Sequence, residues 1–380
     1  MINGGIYIHV PFCLSKCYYC NFYSVPVNDI LIEDYYNSLV KEINTAANKY
    51  PLAAQTLYLG GGTPSILSTH ILNKIIKLVT EKFNLAKKAE ITLEVNPDTV
   101  TLQKAKQWQK IGINRVSMGF QSTNNKILQA IGRRHNKNQA ITALNYLELA
   151  GINNINIDLM YGLPYQTIND WQSTLNCCSK FNITHLSAYP LQVEENTKLA
   201  DKIDNNELKV ADEDTIVEMM FMAKHYLEQQ GFKHYEIANY ALPGYQSKHN
   251  LGYWHYEPYL GFGPAAASFY DNIRWSNSAS LKQYTKQIGD SCVNIDLDSN
   301  KREVQMAEYC FLSLRLLKDG LNKDQFKDKF NTNIEDVYGE KLLELVNKQL
   351  LLNTGNKYCL STKAIPLANQ VFIEFLPDCE

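Results

Sequence analysis

Three cysteines, Cys13, Cys17 and Cys20, sit close together near the N-terminus in the spacing C-x3-C-x2-C. Thiolates at such spacing can wrap a soft metal or an iron–sulfur cluster. Three ligands on one short loop leave one iron of a four-iron cubane without a protein ligand. That open iron can chelate a small molecule through amino and carboxylate groups. Structural zinc is the plain alternative, but it wants a fourth Cys or His. His9 is near in sequence, yet it falls within a predicted strand, Ile6–Pro11. The chain has nine cysteines, an odd number, and those outside the loop are scattered. That is not a secreted disulfide framework, and it fits a reducing cytosol.

The elements around the loop show how it is positioned. Six short runs rich in Ile, Val, Leu and Tyr predict strands: Ile6–Pro11, Thr56–Gly60, Glu90–Asn96, Arg115–Gln121, Asn154–Met160 and His185–Gln192. Helical spacing separates them at Leu31–Ala47, His70–Lys82, Leu102–Ile111, Asn138–Leu149 and Asp170–Lys180. Alternation of this kind builds βαβ units on a parallel sheet. Each strand ends in a polar or glycine element: the cysteine loop, Gly60-Gly61-Gly62-Thr63-Pro64, Glu94, Gln121, Asp158 and Gln192. A barrel builds one site from many strand ends, whereas an open sheet uses one switch point. The pattern favours an α/β fold with a partial (β/α)6 TIM-like barrel.

The rest of the chain reads differently. The barrel is assigned to residues 1–235 and includes a helix at Glu213–Gln229. An aromatic linking region spans 236–300 and carries His249-Asn250-Leu251-Gly252-Tyr253-Trp254, with a polar stretch at Ser276–Asn300. Residues 301–380 predict helices at Glu303–Leu317 and Asn333–Asn347, a hairpin turning at Thr354-Gly355-Asn356, and a closing helix Lys363–Phe375. That order suggests a smaller α+β, winged-helix-like domain. It holds 11 Lys/Arg against 12 Asp/Glu, so it lacks the basic footprint of nucleic-acid binding. Net charge over all 380 residues is −2. No run approaches the roughly 20 apolar residues of a membrane span, and the first residues do not read as a signal peptide.

With the motifs laid out, a family likeness follows. Ile6–Ser24, Leu59–Ser65, Glu94-Val95-Asn96-Pro97, Val116–Gln121, Ile157–Pro164 and His249-Asn250-x-x-Tyr253-Trp254 together resemble the radical S-adenosylmethionine (SAM) group around oxygen-independent coproporphyrinogen III oxidase. The likeness covers nearly the whole chain. It implies a [4Fe-4S] cluster on Cys13, Cys17 and Cys20, with SAM across the barrel mouth. Carried over by position, the SAM residues would be Tyr7, Tyr19, Gly61, Gly62, Thr63, Glu94, Gln121, Arg133, Asp158 and Gln192. Tyr19 suits adenine stacking, glycine lets backbone approach a ligand, and Arg133 can pair a carboxylate.

Within that group the chain is most similar to the haem-chaperone branch. The oxidases carry a fourth cysteine two residues after the third; here that position is Phe22. They also tend to have a longer extension before the cluster. Both departures argue against coproporphyrinogen oxidase activity. The branch implies haem as cargo, respiratory haem proteins as clients (membrane-associated ones among them), an electron donor for the cluster, a cytoplasmic place and a homodimer. His249 is the candidate haem ligand, since neutral His is a common axial ligand and Tyr253 and Trp254 could line a porphyrin. The alternatives are coproporphyrinogen III dehydrogenation and another radical SAM reaction.

Overall fold

A computed structural model describes residues 1–286, 293–296 and 301–377. Six parallel strands lie side by side in chain order: β1 (Ile2–Val10), β2 (Leu52–Gly61), β3 (Glu90–Val95), β4 (Arg115–Gln121), β5 (Asn154–Tyr161) and β6 (His185–Pro190). Helices Asp29–Lys49, Thr69–Phe83, Leu102–Lys110, Lys137–Leu149 and Ile168–Cys178 return the chain between them. Their starts are written in the sequence. Asn28, Ser68, Thr101, Asn136 and Thr167 each accept a first-turn backbone N–H, and Gln139 and Asp170 complete capping boxes.

Alternation along the strands makes a two-faced wall. Ile6, Ile8, Leu57, Leu59, Leu93, Val116, Met118, Ile155, Ile157 and Leu186 are buried in one apolar core with the helices. The intervening positions are polar: Thr56 and Tyr58, Thr92 and Glu94, Arg115 and Ser117, Asn156 and Asp158, Ser187 and Tyr189. The partial barrel is thus apolar outside and polar within.

The sheet is wider than six strands. Asn239–Ala241 pairs antiparallel with β6, and Lys233–Glu236 follows it. On the other side Tyr259–Phe262 runs parallel to β1, and Ala267–Tyr270, Ile273–Asn277 and Val293–Asp296 continue the sheet antiparallel. Much of the stretch expected to be an irregular link is therefore built into the sheet, and Lys248–Trp254 is a helix. Part of the polar Ser276–Asn300 stretch lies outside the described residues.

Beyond residue 300, helices Arg302–Leu314 and Ile334–Asn347 precede a hairpin of Leu351–Asn353 and Lys357–Leu360. Helix Lys323–Phe330 was not anticipated; its sequence is too charged to show a strong apolar stripe. The expected closing helix is split instead. A 3-10 turn at Thr362–Leu367 contains Pro366, and the α-helix proper is Ala368–Ile373. Proline lacks the N–H a continuous helix needs. Tyr256 and Phe269 of the sheet extension share a core with Met306, Cys310, Phe326 and Phe330. The Arg274 guanidinium is 2.7 Å from Glu308. Among the described residues no helix is long and apolar enough to cross a membrane.

The extension docks on β1 through glycine. Gly263 has φ +98°, and a Cβ there would stand 2.4 Å from the His9 carbonyl oxygen. We predict that Gly263→Ala lowers stability by about 2–4 kcal/mol, from left-handed strain plus overpacking. Chemical denaturation measures it; a loss below about 0.5 kcal/mol, the usual surface effect, would mean the extension does not need this close approach.

Candidate functional site at the barrel mouth

The chain leaves β1 at Val10 and enters the cysteine loop. The glycine turn after β2 meets it there. Gly62 N–H donates to the Val10 carbonyl and Thr63 N–H to that of Phe12, both at 2.8 Å. A Cβ on Gly62 would strike those same backbone atoms, and one on Gly61 would strike the His9 ring. The glycines are thus required by the packing of the loop base, as well as lining the cavity above. That cavity is about 650 Å³ and is reached by Cys13, Cys17 and Cys20 together.

The thiols are near neighbours. The Cys20 thiol is pushed up, by burial first and also by Cys17 and Cys13. A hydrogen-bonded chain joins two of them around the mouth. Thr63 Oγ1 donates to Cys13 Sγ at 3.6 Å, and Asn96 Nδ2 donates to Thr63 Oγ1 at 2.9 Å. Arg133 Nη2 donates to Asn96 Oδ1 at 2.8 Å, and its Nη1 reaches Cys17 Sγ at 3.5 Å. Arg133 also donates to the Gly119 carbonyl at 2.5 Å. Burial works against its charge, but Tyr19 and Cys17 beside it raise its pKa.

The acids sit one level down. Glu94 accepts from Tyr58 Oη at 2.8 Å and from Gly61 N–H at 3.1 Å. Asp158 accepts from Asn156 Nδ2 at 2.7 Å and Ser117 Oγ at 3.3 Å. Burial raises both pKa values, that of Glu94 to about 7. Tyr19 is raised by burial and lies within electrostatic reach of Arg133, Cys17, Cys20 and Asp158. Gln121 closes β4 past a register shift, at φ +65°. Its Oε1 is buried without a partner, as is Arg133 Nε. Gln192 lies at the exposed rim.

Two expected residues stand apart. Tyr7 faces the lumen but does not line this cavity; its hydroxyl is 3.1 Å from His9 Nδ1. His249 is at the opposite end of the barrel. It is 3% exposed, beside Gly5, with Nδ1 2.7 Å from Thr56 Oγ1 and Nε2 2.7 Å from Tyr253 Oη. Burial, reinforced by Arg115, lowers its pKa to about 3. The imidazole is therefore neutral, and both ring nitrogens are engaged.

Sequence reading missed Tyr58, Asn96, Arg115, Ser117, Asn156 and Tyr189, which also line the cavity. Five of them fall on the lumen face of a strand, and Tyr58, Arg115, Ser117 and Asn156 stand two residues from one another or from a residue already singled out, so alternation held the signal. Arg315, Ile365, Pro366 and Asn369 come from beyond residue 300, and nothing local marks them.

Comparison with known proteins then decides the family. The Radical SAM superfamily profile matches residues 7–178, and the HemN C-terminal domain profile matches 300–367. The heme chaperone HemW of Lactococcus lactis is 34% identical, over 99% of this chain and 98% of its own. The chain belongs to the HemW family. The Bacillus subtilis relative of the same name is 32% identical over 97% of this chain and 98% of its own. In fold, the chain resembles coproporphyrinogen III oxidase (HemN) from Escherichia coli, a radical SAM enzyme. The TM-score is 0.84 at 22% identity, over 98% of this chain and 90% of that one. Membership implies SAM and a [4Fe-4S] cluster. The residues present fit both: three neighbouring thiols with hydrogen-bond donors at two of them, and orphaned polar atoms on Gln121 and Arg133 facing the same cavity.

The raised pKa of Glu94 has a measurable sign. A buried acid with a folded pKa near 7 and an unfolded one near 4.5 favours folding below the unfolded value. Stability is then lost as pH rises to about 7, by up to about 3 kcal/mol. We predict that Glu94→Gln flattens the denaturation free energy between pH 5 and 8, measured without ligands. Parallel profiles for parent and variant would mean that Glu94 is ionised throughout.

Proposed function

We propose that the chain is a haem chaperone, which binds haem and hands it to respiratory haem proteins. In this reading Cys13, Cys17 and Cys20 hold the [4Fe-4S] cluster that binds SAM. The observation that carries it is near-full-length similarity to relatives named heme chaperone. Phe22 adds support: it stands where the oxidases have their fourth cysteine, 63% exposed at the cavity rim. A position that offers an exposed ring offers no thiol.

When bound, the cluster and SAM supply one-electron chemistry. The chain's own residues bind and orient. Thr63 and Arg133 donate to Cys13 and Cys17, which sets hydrogen-bond donors against two of the sulfurs that would hold the cluster. Glu94 and Asp158 supply acceptors for the ribose hydroxyls or ammonium of SAM, and Tyr19 a face for adenine. Arg133 keeps its Nε hydrogen and one Nη1 hydrogen for the SAM carboxylate, because its other three donors are spent on Cys17, Asn96 and Gly119. Gly61, Gly62, Thr63, Gln121 and Gln192 complete the contact, and Tyr7 supports it from below.

For haem, His249 has the neutrality of an axial ligand and borders a second cavity of about 340 Å³ at the far end of the barrel. For Nε2 to meet iron, the Tyr253 hydroxyl must give way. This separation lets haem bind when the cluster is absent.

Replacing Cys13, Cys17 and Cys20 with Ala removes about four irons per chain yet leaves a Soret band on haem addition. The parent, with cluster, SAM and reductant, does not convert coproporphyrinogen III; sustained decarboxylation would promote the oxidase reading. Tyr253→Phe frees His249 Nε2 and tightens haem binding, whereas His249→Ala weakens or shifts the Soret band. Spectra unaltered in both variants remove His249 from the haem site. For SAM, Asp158→Ala lowers affinity by one to two decades, about 1.5–3 kcal/mol, with iron content unchanged. Parent-like SAM binding would show that Asp158 is only a lumen residue.

A further inference from the structure

The second cavity lies where one buried carboxylate holds two segments together. Glu90, the first residue of β3, is 5% exposed. Its Oε2 accepts from the Lys248 N–H and its Oε1 from the His249 N–H, each at 3.1 Å. The start of helix Lys248–Trp254 is thereby fixed against the segment that leads into β3. Each segment brings a lysine to the cavity wall, Lys248 from the helix and Lys88 from just before the strand. Both lysines are exposed, and among the described residues neither forms an ion pair.

The rest of the wall divides by polarity. Leu251, Tyr253, Pro258 and Tyr259 give apolar and ring surface around His249, and Gly4 and Gly5 leave the start of β1 bare. Among the described residues Glu257 is the one acid in the wall. Its carboxylate folds back over the helix, since a Cβ on Gly252 would stand 3.2 Å from its Oε2. The rim therefore carries two lysine cations against one anion, and the cations have no partner of their own. At about 340 Å³ the cavity is at the small end of ligand sites. A flat ring system as broad as a tetrapyrrole is not wholly enclosed there. The edge left outside is the one that water and charge solvate best.

We propose that Lys88 and Lys248 pair with the two propionates of a haem that enters this cavity by its vinyl edge. The apolar edge then lies against Leu251, Tyr253 and Pro258, with the iron directed at His249. The carboxylates stay at the rim, where the exposed ammonium groups meet them, and Glu257 is the group that opposes them. The proposal rests on the chaperone reading and adds to it the orientation of the cargo and its recognition as a dianion. Exposed ion pairs are individually weak and act mainly on encounter and orientation. That suits a protein that must give its cargo up, because a client can take the propionates without breaking a buried contact.

Soret titrations with haem and haem dimethyl ester at low salt test this in the parent, Lys88→Met, Lys248→Met, the double variant and Glu257→Gln. The parent binds haem roughly tenfold tighter than the diester, and each single lysine variant loses about threefold of that. The double variant has no preference, while its affinity for the diester is that of the parent. Glu257→Gln tightens haem by about threefold and leaves the diester unchanged. Added salt erases the preference of the parent, because the pairs are exposed. Replacing both lysines with Arg keeps the preference, since the charge is what the rim supplies. Equal affinity of the parent for haem and diester overturns the proposal, and so does a preference that survives in the double Met variant. In both cases the chaperone reading stands, because haem is still bound. If the parent binds neither porphyrin, the chaperone reading falls and takes the proposal with it.

Discussion

One chain of hydrogen bonds fixes the mouth of this barrel: Cys13, Thr63, Asn96, Arg133, Cys17. Its members arrive from different places. Cys13 and Cys17 follow β1, Thr63 follows β2, Asn96 follows β3, and Arg133 lies beyond β4 on the segment after helix Asn125–Ala130. A cysteine loop alone is a flexible tether. Tied to three successive strand ends, it has its thiols set by the sheet itself. The tie also meets an electrostatic need, because partly buried thiolates require donors close to sulfur. Arg133 supplies one and keeps its own charge through the company of Tyr19 and Cys17. The glycine turn follows from the same constraint, for only residues without side chains let the β2 end lie against the backbone of Val10 and Phe12.

A polar lumen has a cost that the outer layer must offset. Tyr58, Glu94, Arg115, Asn156, Asp158 and His185 all point inward, and several are almost wholly buried. Burial raises the acids and lowers His185 and His249, so the lumen resists charge on its carboxylates and imidazoles. The fold tolerates this because the opposite face of every strand packs in a continuous apolar core with the helices. At roughly 25 cal/mol per Å² of apolar surface, that shell is what allows the interior to keep polar groups for ligands.

Much of this was legible before any coordinates. The alternation of strand and helix gave the barrel, and helix Glu213–Gln229 has the bounds read from its spacing. Polar strand ends gave Glu94, Gln121 and Asp158, which do face one cavity with the cysteines. What stayed hidden has physical reasons. Asn96 was read only as part of a motif, because its role depends on Thr63 and Arg133 arriving from elsewhere. Tyr259–Phe262 looked irregular because four residues carry too little periodicity, and its strand character comes from pairing with β1. Arg315 reaches the cavity by tertiary packing alone. Tyr7 was carried over by position, yet its hydroxyl turns to His9.

The two ends of the barrel are joined by one side chain. β1 runs from Gly5, against the His249 ring, to Val10, just before the cysteine loop. At about 3.3 Å per residue that is roughly 17 Å of strand, too far for direct contact between an imidazole at one end and a cluster at the other. Tyr58 spans part of the gap. Its ring stacks on His249 at 5.1 Å between centroids, and its hydroxyl donates to Glu94 at 2.8 Å. Anything that drew His249 out of its place would take away the ring on which Tyr58 rests. Glu94 would then lose a well-placed donor, and a carboxylate already raised by burial would be raised further. Because the Gly61 N–H also donates to Glu94, that change would reach the turn on which Thr63 and Cys13 depend. The lumen thus couples the floor to the mouth through hydrogen bonds rather than through a moving backbone.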